Sequence, residues 1–139
     1  MEISLVRKRL TETIERAKKQ AAERRGRGDQ AARDFELFLT RVAVPLVRQV
    51  ANALKADGYA FTVFTPSNSV KLLSDRSADD FIELTLDAAA IPPAAVVRTS
   101  RARGSRVIDA EHAIGAPEAI TEEQLLDVLL KELEAFVER

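Results

Sequence analysis

The chain has 139 residues, 46% hydrophobic and 31% charged, with a formal net charge of -1; that is the size and balance of one soluble globular domain, and it excludes a global attraction to nucleic acid or to an acidic surface. No cysteine is present, which excludes disulfides, thiolate metal sites and cysteine nucleophiles and leaves packing to hold the fold. The near-neutral total conceals a polarity: residues 1–28 carry nine Lys or Arg against four acids, whereas residues 110–139 carry two against eight, so the chain ends can attract each other within a chain or between chains.

The N-terminal stretch MEISLVRKRLTETIERAKK lacks the apolar run of a secretory signal, and its Glu2, Glu12 and Glu15 do not suit an acid-poor transit peptide. No segment approaches the roughly 18 to 20 consecutive apolar residues that span a bilayer. The expectation is a cytoplasmic protein without membrane contact. Ile3, Val6, Leu10, Ile14, Ala17 and Ala21 recur at spacings of three and four, which places them on one face of a helix. The stripe is narrow and shrinks to alanine, the pattern of a two-helix packing seam. Ile3, Val6, Leu10 and Ile14 are therefore the candidate dimer interface.

Gly26 and Gly28 predict a break after this first helix. A second helix is expected from Asp29, a good N-cap, to Gly58, carrying Phe35, Phe38, Leu39, Val42, Leu46, Val50, Ala53 and Leu54. Pro45 lies inside it and predicts a kink, or two helices meeting at Val44 and Pro45, because an internal proline removes one backbone hydrogen bond and clashes with the carbonyl four residues back.

After Gly58 the period changes to two. Tyr59, Phe61 and Val63, then Val70 and Leu72, then Ile82, Leu84 and Leu86 alternate with polar or small residues, predicting three short strands. AAAIPPAA is a linker, and VVRTS and SRVIDA read as two further strands joined by ARG. Connections this short admit no crossover helix, so the sheet is an antiparallel meander. In PEAITEEQLLDVLLKELEAFVER, Thr121 and Gln124 form a capping box, with Ile120 and Leu125 as the hydrophobic staple. The helix that follows is expected to bury Leu126, Leu129, Leu130, Leu133 and Val137.

The predicted architecture is one α+β domain over 1–139. It has a long N-terminal helical hairpin (first helix and basic loop 1–28, Pro-kinked second helix 29–58), a five-stranded antiparallel meander sheet (59–111), and a linker with a C-terminal helix packed on one face of the sheet (112–139). The first helix has no obvious place in such a domain to bury its stripe. A homodimer is the economical solution.

Candidate chemistry is sparse. His112 is the only histidine; alone it makes no zinc site, and it is read as an exposed linker residue rather than a general base. Ser67, Asn68 and Ser69 have the composition of a hairpin turn, with no G-x-S-x-G elbow to support a nucleophile. Asp75, Asp79 and Asp80 lack the spacing of a loop built for a metal, and Asp75 and Asp80 are read as turn caps. No catalytic constellation, cofactor motif or metal site is predicted.

Two basic clusters remain. Arg16, Lys18, Lys19, Arg24, Arg25 and Arg27 end the first helix, where cations suit the dipole. Arg98, Arg101, Arg103 and Arg106 occupy nine positions around Gly104. A two-residue turn at Arg103 and Gly104 would set Arg101 opposite Arg106 and Arg98 opposite Asp109. The four arginines are candidates for an anion or an acidic protein partner, beside the simpler reading of a solvated hairpin. Nucleic acid is not expected: the acidic C-terminal end repels phosphates, and no aromatic residue accompanies the arginines. The expected function is a non-catalytic interaction or adaptor module, homodimeric, with anion or nucleic-acid binding through residues 98–106 as the alternative.

Overall fold

A computed structural model describes residues 1–138. It is an α+β structure with a long N-terminal helix, a five-stranded antiparallel sheet and a C-terminal helix. The expected helical hairpin is replaced by one continuous helix, Ile3–Ala56, 54 residues long. At 1.5 Å per residue it measures about 80 Å. It comprises α1 (Ile3–Phe38), one π-helical turn (Leu39–Ala43) and α2 (Val44–Ala56).

Gly26 and Gly28 sit inside α1, within helical backbone. Glycine in a helix interior costs about 1 kcal/mol relative to alanine, too little to end a helix whose following turns carry the buried Ala31, Phe35 and Phe38. Gly28 passes the loop at Ala88, where an added Cβ would lie 3.5 Å from the Ala88 carbonyl oxygen. Gly26 has nothing within 4 Å of such a Cβ. Gly26→Ala is therefore expected to raise the helicity of the arm and stabilise it by about 0.5–1 kcal/mol. Far-UV circular dichroism through a thermal melt checks this, and a loss of ellipticity would contradict it.

Pro45 lies at the start of α2, and the expected disturbance takes the form of the π turn just before it. Proline brings no N–H to the carbonyl of Arg41 and crowds it, and a wider turn accommodates that defect without ending the helix. The helix contains one 18-residue window of mean hydropathy 1.2, long and apolar enough by composition to cross a membrane, and 33% of that window is buried within the domain. Leu46, Val47, Val50 and Ala51 form the buried side of α2.

The strands β1 (Phe61–Phe64), β2 (Val70–Ser74), β3 (Phe81–Asp87), β4 (Ala94–Arg103) and β5 (Arg106–Gly115) neighbour one another in chain order. Val70, Leu84 and Val97 lie side by side across β2, β3 and β4, with Leu72 beside Ile82 in the next row. These side chains are 1–3% exposed and meet Val47 of α2 and Leu125 and Leu129 of the C-terminal helix α3 (Glu122–Val137). One face of the sheet is thus covered by helices, as alternating apolar positions dictate.

α3 begins with the predicted capping box: Gln124 N–H donates to Thr121 Oγ1 at 3.2 Å, and Thr121 N–H donates to Gln124 Oε1 at 2.9 Å. The buried set differs from expectation. Leu125, Leu129, Leu133 and Phe136 enter the core, while Leu126 and Val137 are half-buried and Leu130 is 52% exposed. A helix with leucines on two adjacent stripes can give only one of them fully to a flat sheet.

Candidate functional site

The hairpin of arginines is assembled from β4, β5 and a two-residue turn at Gly104 and Ser105. Gly104 has φ +64° and Ser105 has no positive φ, the pattern of a type II′ turn with glycine in the first central position. The expected turn placed glycine second, and the difference of one residue changes every cross-strand pair. Arg103 faces Arg106, Arg101 faces Ile108, and Arg98 faces Glu111. The expected oppositions of Arg101 with Arg106 and of Arg98 with Asp109 do not occur.

The four arginines do not converge. Arg98 lies on the open face of the sheet, where its Nη1 is 3.2 Å from Glu83 Oε1 and its Nε is 3.7 Å from Glu111 Oε2. It is held in an acidic clamp and is not offered to an external anion. Arg101 and Arg103, at odd positions of β4, share the opposite face with Arg106. None of these three makes an ion pair among the described residues. They form a basic tip on a ribbon that extends past β3, whose first residue, Phe81, pairs with Ser100.

The ribbon is anchored by an acid that the sequence pattern marked only as a turn cap. Asp80 is 1% exposed, and its Oδ1 accepts the Ala102 N–H at 2.7 Å. Its side chain thereby occupies the ladder position that β3 no longer supplies. Asp75, by contrast, is exposed and accepts a hydrogen bond from Thr62 Oγ1 at 2.6 Å. His112 lies within β5, opposite Val97, not in a linker, and its Nε2 is 3.6 Å from Glu132 Oε1 of α3.

The second candidate surface is the N-terminal arm. Residues 1–27 are exposed apart from the half-buried Ala21. Ile3, Val6, Leu10 and Ile14 are 75%, 48%, 56% and 44% exposed. From Ile3 to Ala17, about 21 Å of helix, the arm presents an apolar stripe that none of the described residues buries. The accessible area of 9343 Å² is about 2,200 Å² more than a compact chain of this mass presents. At the base of the arm, Arg24, Arg25 and Arg27 border a shallow groove of about 520 Å³ closed on its other side by Ala88–Ile91 and Pro93.

Comparison of the chain with protein-family models, with curated proteins and with solved structures finds no match.

Proposed function

We propose that the chain is a non-catalytic, homodimeric interaction module of the cytoplasm, and that its helical arm is the contact element. The bare stripe of Ile3, Val6, Leu10 and Ile14 carries this reading. Four large aliphatic side chains at helical spacing stand outside the core and leave about half or more of their surface in water, where covering it is favourable by about 25 cal/mol per Å² of apolar surface. The excess of about 2,200 Å² on one chain is more than the roughly 600–1,000 Å² that each partner gives to a stable interface, so there is surface enough for one.

Leu10→Glu combined with Ile14→Glu tests the reading. The wild-type chain is expected to sediment as a dimer at micromolar concentration and the double variant as a monomer. The far-UV circular dichroism of the folded chain should be unchanged, because both side chains lie outside the core, and any fall in melting temperature should be no more than loss of the dimer accounts for by mass action. A wild-type chain that is monomeric at every concentration sinks the proposal.

A second reading, anion binding at the hairpin, has in its favour the tip of Arg101, Arg103 and Arg106, which makes no ion pair among the described residues. Opposed like charges at Arg103 and Arg106 destabilise the hairpin by a few tenths to about 1 kcal/mol unless an anion lies between them. Titration with phosphate, nucleotides and short oligonucleotides at low salt is expected to show no binding. Binding that Arg103→Ala with Arg106→Ala abolishes would favour this reading.

A further inference from the structure

α3 has a face that the sheet does not use. Leu126, Leu130 and Val137 form a second apolar stripe beside the buried one, and Leu130 is 52% exposed. At 100° per residue, Glu123, Asp127 and Glu134 lie within about 60° of Leu130. All three carboxylates are exposed, and none takes part in an ion pair among the described residues. From Glu122 to Val137 the helix carries five carboxylates and one lysine.

The arm has the opposite character. Arg7, Arg24 and Arg25 lie within about 60° of the centre line of its stripe and Lys18 lies about 75° from it, at the outer border, and residues 1–28 hold nine bases against four acids. Two arms laid together, in either direction, would bring two basic surfaces into contact along their seam. The α3 stripe matches the arm in shape, apolar between charged borders, and reverses the sign. A helix that runs unbroken into the core at Phe35 cannot bend back onto α3 of its own chain.

We infer that the arm of each copy docks on α3 of a second copy. Leu10 and Ile14 pack against Leu126 and Leu130, and the basic border of the arm lies over Glu123, Asp127 and Glu134. Each chain gives one arm and receives one, so the contact is made twice about a two-fold axis and closes at two copies. The inference rests on the dimeric reading and adds the surface the arm occupies.

The lack of cysteine allows a clean test by disulfide mapping. Leu10→Cys and Leu130→Cys are prepared singly, mixed and mildly oxidised, and a covalent dimer is expected only in the mixture. Leu10→Cys alone, Ile14→Cys alone, and those two mixed should give none. Cross-linking in any of these three shows arms paired with arms and overturns the inference while the dimer stands. Glu123→Lys with Asp127→Lys and Glu134→Lys should raise the dimer Kd at least about tenfold while far-UV circular dichroism still shows the folded chain. Lys18→Glu with Arg25→Glu in the same chain should recover the affinity. Added salt should weaken the dimer, since it screens an attraction; a dimer that tightens with salt, or that survives the triple reversal, overturns the docking. A wild-type monomer removes both readings at once.

Discussion

Phe35→Ala is expected to lower the unfolding free energy by about 4 kcal/mol, a large share of the 5–15 kcal/mol typical of domains this small. Phe35 is 1% exposed, stacks in tilted fashion on Phe38 at 6.2 Å between ring centroids, and belongs to the core cluster with Leu39 and Leu46. Removing the ring forfeits its burial and leaves a cavity that a long, stiff helix cannot close. Phe35 also continues the face of the helix that carries Leu10, Ala17, Ala21 and Gly28. The same stripe therefore has two fates along one helix: core packing after residue 28 and exposure before it. In the monomeric Leu10→Glu, Ile14→Glu background, Val6→Ala is expected to change stability by less than about 0.5 kcal/mol. Urea denaturation of both variants makes the comparison, and a cost above about 1 kcal/mol for Val6→Ala would show that the arm packs within its own chain.

The fold was legible wherever a local pattern and the final packing agree. Val70 and Leu72, or Ile82 and Leu84, alternate because one face of the sheet meets helices, and Thr121 with Gln124 closes a cap using only residues three apart. Legibility failed where long-range packing overruled a local signal. Gly26 and Gly28 mark a break in isolation, yet the helix continues because Phe35 and Phe38 anchor its next turns. The register of the arginine hairpin turned on whether Gly104 stands first or second in the turn, a difference that composition does not express. Leu130 and Leu129 are indistinguishable as residue types, and only the angle at which α3 meets the sheet decides which is buried. The candidate site divides in the same way. The arm stripe was visible from its spacing. The separation of Arg98 from Arg101, Arg103 and Arg106 depended on Glu83 and Glu111, which reach it from two neighbouring strands.

Asp80→Ala is the second substitution with a large expected cost, about 3 kcal/mol, since it empties a buried side-chain site and strips the acceptor from the half-buried Ala102 N–H. The effect has a direction in space. β4 continues past Ser100 where β3 has already begun at Phe81, so the Ala102 N–H would face no strand without the Asp80 carboxylate. Losing it orphans that donor and loosens the ribbon bearing Arg101, Arg103 and Arg106. Asp80→Asn keeps an oxygen acceptor at that position and should lose less than Asp80→Ala. Hydrogen exchange should rise at Ala102 and along the ribbon in both variants while Val70, Leu84 and Val97 stay protected in proportion to global stability. Equal losses in the two variants, with exchange at Ala102 unchanged, would show that this hydrogen bond does not hold the ribbon. The basic tip would then owe its placement to the strand pairing of β4 with β5 alone.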